Sequence, residues 1–159
     1  MTRFFSGTAD IEAAVGATLG PSEAIAVTQE AIDRFAEATN DRQWIHTDVE
    51  RATREAGGTV AHGMLTLSLI VPLVAQLFAV QTPSSINYGF DRVRFVTPVP
   101  SGALVSATAR IVEVQRARTG VKVLSAVEIA DGRTSAVVYC VADWWTFYPG
   151  IADEAADDA

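Results

Sequence analysis

The sequence predicts a single α+β domain, in which several helices are followed by an antiparallel sheet. Three observations lead to this prediction. In the first half, apolar residues recur at helical spacing; residues 63–80 form one long apolar run; and from residue 86 onward the hydrophobic period is two, as in strands. With 159 residues, 49% of them hydrophobic, the chain is long enough to bury one core.

The N-terminal part begins with short elements. Residues 8–20 predict a brief amphipathic segment and residues 25–27 a short strand. Thr28 is a suitable N-cap, and the residues after it have a helical apolar face that continues to about Asn40. The first long helix is therefore expected between these two residues.

A second short helix is predicted directly after His46, because Thr47 to Glu50 matches a capping box. The glycine pair Gly57-Gly58 would end it. Residues 41–46 would then form a structured loop whose ends are fixed by the two helices, an arrangement that often displays functional groups.

Residues 63–80 predict the longest helix, apolar nearly all round and interrupted or kinked at Pro72. The run approaches the length of a membrane span, but it contains polar residues such as Gln76 and has no flanking positive charge. We therefore expect a long central helix wrapped by a curved antiparallel β-sheet.

Four strands are predicted, at residues 86–95, 105–111, 121–129 and 135–147. The alternation of the first strand changes phase near Asp91, which indicates a bulge. Asp131-Gly132 is a hairpin signal before the last strand. A single domain would occupy residues 1–149, and residues 150–159 would be an acidic, disordered tail.

The composition excludes some functions. The net charge is −7 and there is no basic stripe, so nucleic acid is not an expected partner. The chain has one cysteine, Cys140, and its N-terminus lacks the features of a signal peptide, so a cytoplasmic location is expected. The high apolar content favours self-association.

Two short segments carry the candidate chemistry. Asp41 and His46 place a carboxylate and an imidazole in one loop, and Gly63 places a backbone amide at the start of the apolar run. Together such groups can hold a water molecule, move a proton and polarise a carbonyl. Each is common on its own: an Asp after a helix often caps a turn, and a lone His is often structural.

The combined pattern resembles a known family. Asp41-x4-His46, Ala61-His62-Gly63-Met64, Asn87-Tyr88-Gly89 and Pro98-Val99-Pro100 occur in this order. They are similar to the MaoC-like hydratases of the hot-dog fold, and most of all to the NodN-like, (R)-specific enoyl-CoA hydratases. The resemblance extends over residues 10 to 148. Many members carry Asn-Pro between the acid and the histidine, where this chain has Gln43-Trp44.

The resemblance implies a homodimer of hot-dog domains and reversible syn addition of water to a trans-2-enoyl-CoA, giving the (R)-3-hydroxyacyl-CoA. By the same resemblance, Asp41 and His46 are the catalytic pair, and the amide of Gly63 binds the thioester oxygen. No metal or cofactor is expected, since coenzyme A enters as part of the substrate.

Several alternatives stay open at this point. We assign Asp41 as the base toward water and His46 as the group that orients it, although the reverse is nearly equivalent. His62 is interpreted as a hydrogen-bonded residue that positions the turn before Gly63, and a third catalytic histidine is the alternative.

The function of the whole protein also has alternatives. The substrate carrier could instead be an acyl carrier protein, which would make the protein a 3-hydroxyacyl-ACP dehydratase. A thioesterase is disfavoured because residues 63–80 hold no Asp or Glu. A non-catalytic acyl-thioester-binding subunit would not need the acid–imidazole pair.

Overall fold

The computed structural model describes residues 2–151. Six helices alternate with short strands in the first half and give way to four long strands in the second. The helices are α1 Thr8–Glu12, α2 Gln29–Thr39, α3 Trp44–Thr47, α4 Val49–Ala56, α5 Gly63–Ser68 and α6 Ile70–Val74. The strands are β1 Arg3–Phe5, β2 Thr18–Leu19, β3 Ile25–Val27, β4 Phe78–Val80, β5 Ile86–Phe95, β6 Ala103–Ala117, β7 Gly120–Asp131 and β8 Val138–Pro149.

The main sheet is antiparallel, with the order β2-β6-β7-β8-β5, and β3 pairs with β6 beside β2. A separate parallel pair joins β1 to β4. One face of the sheet packs against α5 and α6, since their buried side chains belong to the same hydrophobic cluster. This arrangement confirms the predicted α+β class.

The bulge predicted in β5 is present, between Phe90 and Arg92, and a second register shift lies between Asn87 and Gly89. Strand β6 has a further shift after Ile111. Each bulge bends its strand and increases the local twist, which lets a sheet curve around helices.

The first long helix agrees with its predicted ends. The hydroxyl of Thr28 accepts a hydrogen bond from the amide of Ala31, and Asn40 ends the helix with φ of 58°. The predicted capping box after His46 is wrong: the capping side chain is Asp48, which accepts from the amide of Arg51. His46 itself lies inside the one-turn helix α3, where we had predicted a loop.

The predicted helix over residues 63–80 is also shorter in the structure. It divides at Leu69 into α5 and α6 and ends at Val74, after which residues 78–80 form a strand that pairs with β1. The break has a local cause, because the ring of Pro72 lacks an N–H and would clash with the carbonyl of Ser68 in a continuous helix. The side chains of Met64 and Val71 are exposed, so the helical segment is not buried on every side.

The last strand begins at Val138 and not at residue 135. Asp131 accepts hydrogen bonds at Oδ1 from the amides of Arg133 and Thr134, and this turn continues before β8 starts. At the other end of β8, Ile151 is 8% exposed and packs on the core. Residues 152–159 lie outside the described residues, so the acidic tail stays a prediction. Within residues 2–151, no helix has the length and hydrophobicity that a membrane crossing requires.

Candidate active site

Asp41 follows directly after α2 and presents a carboxylate at the surface of the protein. The side-chain amide of Gln43 donates a hydrogen bond from Nε2 to Oδ1 of Asp41 at 3.1 Å. This bond is the largest cause that holds the pKa of Asp41 below its ordinary value. A hydrogen bond from the backbone N–H of Gln43 and the charges of His62 and His46 lower the pKa further. Gln43 therefore has a place in this site, because its side chain orients the Asp41 carboxylate and favours its ionised form.

His46 lies in α3 and is 7% exposed. Its ring Nδ1 is 2.7 Å from the carbonyl oxygen of Val60. A carbonyl can only accept, so Nδ1 carries the hydrogen, and Nε2 of the neutral ring keeps its lone pair. The backbone of His46 is held as well, by the side chain of Gln29, which donates to its carbonyl at 2.7 Å.

The structure brings the predicted pair together. One carboxylate oxygen of Asp41, one ring nitrogen of His46 and one ring nitrogen of His62 all lie within 4.8 Å of one another. A water molecule fits between an acid and an imidazole at such a separation, because each hydrogen bond to it spans roughly 2.8 Å. The carboxylate and the imidazole are therefore close enough to share one water molecule.

The ring of His62 is hydrogen-bonded, as we predicted, and its partner is the backbone of Asp41. Its ring Nε2 is 2.9 Å from the backbone carbonyl oxygen of Asp41, and its ring stacks on that of His46 with centroids 3.7 Å apart. The side chain thus contacts both members of the pair. No signal in the sequence indicated this contact, which joins residues 21 positions apart.

These three groups do not form a suitable metal site. The two imidazole rings are stacked, with 26° between their planes. A metal ion binds in the plane of an imidazole, about 2 Å from the nitrogen. Rings that lie nearly face to face do not direct their lone pairs to one such point.

Gly63 is the first residue of α5, so its amide has no partner within that helix. Among residues 2–151, no acceptor is found for this N–H. A Cβ at this position would lie 3.1 Å from the ring of Phe95, which is closer than a relaxed contact. Glycine therefore allows β5 to approach the start of α5.

A cavity of about 280 Å³ lies beside these groups. Its walls come from α3, α5 and the segment before it, the end of β5 with the residues that follow, and the start of β8. They include His46, Gly63, Thr66, Phe95 and Tyr139. Burial raises the pKa of Tyr139, so its hydroxyl is protonated at neutral pH. The sequence reasoning missed the last three residues, because they come from three distant segments.

A second cavity of about 320 Å³ lies farther along the same helical segment. Val71 and Val74 of α6 form one side, Trp144 of β8 another, and residues 82–85 a third. The two cavities are lined by consecutive helices, since Thr66 belongs to α5 and Val71 to α6.

Comparisons with known proteins show which family this chain resembles. The family model for the MaoC-like domain matches residues 10–132. The 3-hydroxyacyl-thioester dehydratase Z of Mycobacterium tuberculosis is 41% identical over 143 residues, which is 89% of this chain and 95% of that protein. Nodulation protein N of Rhizobium leguminosarum bv. viciae is 47% identical over 106 residues, 61% of this chain and 63% of that protein.

Among solved structures, the R-hydratase PhaJ1 of Pseudomonas aeruginosa in its unliganded form superposes with a TM-score of 0.71. The match covers 91% of this chain and 86% of that one, at 21% identity, and it shows the hot-dog fold. Because both the family model and a relative of nearly full length match, the predicted recognition is confirmed. The chain belongs to the MaoC-like dehydratase family of hydro-lyases.

Proposed function

We propose that this protein is an (R)-specific enoyl-CoA hydratase, which adds water reversibly to trans-2-enoyl-CoA and gives (R)-3-hydroxyacyl-CoA. The observation that carries the proposal is the approach of the Asp41 carboxylate to the His46 imidazole, within 4.8 Å, beside a cavity that the Gly63 residue also lines. His46 and Gly63 line this cavity, and Asp41 lies beside His46. An acid, a base and an available amide are the groups that this reaction requires.

The thioester oxygen would bind at the amide of Gly63. Attack of water on the β-carbon of an enoyl thioester develops negative charge on that oxygen, and a hydrogen-bond donor aimed at it lowers the barrier. Loss of one such donor typically costs about 3 kcal/mol in the transition state. The amide of Gly63 suits this role because no acceptor occupies it among the described residues.

The water would lie between Asp41 and His46. The hydrogen on Nδ1 of His46 is directed at Val60, so its Nε2 is the nitrogen that can take a proton. Asp41 is ionised but is a weaker base than usual, since its pKa is lowered. We therefore assign His46 as the base and Asp41 as the group that orients the water, the reverse of our assignment from sequence.

One proton can then complete the reaction. His46 removes it from water as the oxygen bonds to the β-carbon, and the imidazolium returns it to the α-carbon as the enolate collapses. Both new bonds form on the face of the substrate that the pair occupies, which gives syn addition. The same groups in reverse order remove water from a 3-hydroxyacyl thioester, the reaction after which the mycobacterial relative is named.

The acyl chain would extend along the helical segment toward the second cavity. Its walls are mostly apolar, and its volume of about 320 Å³ suits several methylene groups. The pantetheine and nucleotide of coenzyme A would remain outside. We propose that the protein acts as a homodimer in the cytoplasm.

The proposal is tested by adding crotonyl-CoA to the purified protein and following loss of the conjugated thioester absorbance. Asp41→Asn and His46→Gln should each reduce kcat at least about 100-fold, the contribution typical of a positioned acid or base. A stereospecific dehydrogenase then establishes whether the product is the (R)-isomer.

Glu37→Gln serves as the control, since it removes an exposed carboxylate from the same helix that leads to Asp41. Full activity in either pair variant would remove that residue from the mechanism. Release of free coenzyme A without hydration would instead indicate a thioesterase, although residues 63–74 carry no carboxylate for that chemistry. Binding of crotonyl-CoA without turnover would indicate an acyl-binding subunit.

A further inference from the structure

His62 is a buried histidine that the proposed mechanism does not use. It is 3% exposed, and it precedes Gly63 at the start of α5. Its ring lies between two others: His46 stacks on it at 3.7 Å, and Phe35 of α2 is tilted against it at 5.0 Å between centroids. Elements from three parts of the chain therefore meet at this one side chain.

The tautomer of His62 follows from its hydrogen bond. Nε2 is 2.9 Å from the carbonyl oxygen of Asp41, which can only accept, so Nε2 carries the hydrogen. Nδ1 is buried and has no hydrogen-bond partner within residues 2–151. An unsatisfied buried nitrogen costs free energy that an apolar ring would not, so the hydrogen bond from Nε2–H is what distinguishes this imidazole from a ring that only fills space.

That bond holds a segment with few other restraints. Asp41 follows the left-handed Asn40, and its own amide makes a long bond of 3.4 Å to the hydroxyl of Thr39. The remaining anchor of the Asp41 backbone among the described residues is the ring of His62. Without it, the carboxylate could move away from His46 while the rest of the fold stayed unchanged.

We propose that His62 is a positioning residue for the acid–imidazole pair, which acts by donating from Nε2 to the carbonyl of Asp41. The inference rests on the proposed function, because it concerns how that pair is held. It makes His62 the link between the pair and Gly63, the neighbouring residue that would bind the thioester oxygen. The side chain of His62 would thus help to set the distance between the water held by the pair and the thioester carbonyl bound at Gly63.

The test compares two amide substitutions that differ in reach. The amide nitrogen of glutamine can occupy the position of Nε2, so His62→Gln keeps a donor for the Asp41 carbonyl. The shorter side chain in His62→Asn cannot reach it. We expect His62→Gln to retain kcat for crotonyl-CoA hydration within about threefold, and His62→Asn to lose at least about tenfold, with KM changed less than twofold in both.

His62→Phe separates positioning from packing. It keeps an aromatic ring against His46 but removes the donor, so kcat should fall as in His62→Asn while the thermal midpoint stays near that of the wild type. A packing role predicts the opposite order, with the Phe variant active and the Gln variant impaired. Wild-type kcat in His62→Phe, or equal kcat in the Gln and Asn variants, would overturn the inference.

A measurement independent of activity keeps the two proposals apart. The chain has only two histidines, so long-range ¹H–¹⁵N spectra of the imidazoles assign readily. The wild type should show hydrogen on Nδ1 of His46 and on Nε2 of His62. A wild type with this spectrum but no hydration would contradict the proposed function alone; a wild type with hydrogen on Nδ1 of His62 would contradict the inference alone.

Discussion

A single carbonyl oxygen determines which nitrogen of His46 is available to the substrate. Val60 accepts from Nδ1, and Asp41 accepts from Nε2 of the stacked His62. The two rings therefore have opposite tautomers although they lie face to face. Each tautomer is fixed by a backbone acceptor, whose position depends on the fold and not on the protonation of a neighbour.

The amide of Gln43 should control the charge of Asp41 at low pH. Its hydrogen bond favours the ionised carboxylate, so Gln43→Met, which lacks a donor, should raise the pKa of Asp41. A lowered pKa keeps the carboxylate charged as the pH falls, and the variant should lose that charge at a higher pH than the wild type. Above pH 6 the two proteins should have the same charge at Asp41.

Titration of the Asp41 carboxyl carbon by ¹³C NMR measures this effect directly. Gln115→Met is a matched control, because the side chain of Gln115 likewise donates to a carboxylate, that of Glu113 at 2.8 Å, but lies in strand β6. The control should leave the titration of Asp41 unchanged. An unchanged titration in Gln43→Met would show that the Gln43 side chain does not contribute to the charge of the site.

At the scale of elements, the segment from α5 to α6 contributes buried side chains to the hydrophobic core and also lines both cavities of the site. Leu73 is 0% exposed and belongs to the central cluster, whereas Val71, two residues earlier, is 53% exposed. Leu73→Ala should lower the free energy of unfolding by about 2–5 kcal/mol, because the deleted methyl groups leave a cavity. Val71→Ala should change it by less than about 0.5 kcal/mol.

Urea unfolding monitored by tryptophan fluorescence distinguishes the two variants. The slope of the unfolding free energy against urea should match the wild type in both, since the buried surface is nearly the same. A small loss of stability in Leu73→Ala would mean that neighbouring side chains close the cavity. A large loss in Val71→Ala would indicate that its exposed face is covered in solution.

Local patterns predicted those elements that local interactions determine. The N-cap at Thr28, the end of α2 at Asn40 and the phase change in β5 were each evident in the sequence. The cap at Asp48 was not, because Thr47 and Asp48 are both good caps and only the path of the chain after α3 selects one. The break at Leu69 followed from Pro72, but its position did not.

The site was predictable to the same extent. The spacing of Asp41 and His46 predicted that the two side chains approach each other, and the structure places them within 4.8 Å. The orientation of His46 depends on Val60, 14 residues later in the chain. The position of Asp41 depends on His62, 21 residues later. Such contacts are set by how helices pack, so no pattern within a short window indicates them.

At the scale of the whole molecule, β5 is a ten-residue strand at the edge of the sheet. It pairs with β8 on one side and with no strand of the described chain on the other. Ile86, the first residue of β5, and Val96, directly after its last residue, are 48% and 56% exposed, and Phe95 is exposed as well. A long edge with exposed apolar side chains favours pairing with another strand, and in a twofold dimer that strand would be the partner's β5.

If the proposed dimer forms through β5, placing charge near both ends of this edge should separate it. In an antiparallel β5–β5 pair the two ends face each other across the twofold axis, so Ile86→Lys/Val96→Lys would oppose lysine with lysine. Light scattering should give twice the mass of one chain for the wild type and the mass of one chain for this variant. Hydration of crotonyl-CoA should fall as well, because Phe95 of β5 forms a wall of the cavity beside Gly63. Val15→Lys/Val49→Lys is a matched control, since these residues are 47% and 52% exposed but lie outside β5, and it should remain dimeric. A monomeric wild type with full activity would show that one chain completes the site.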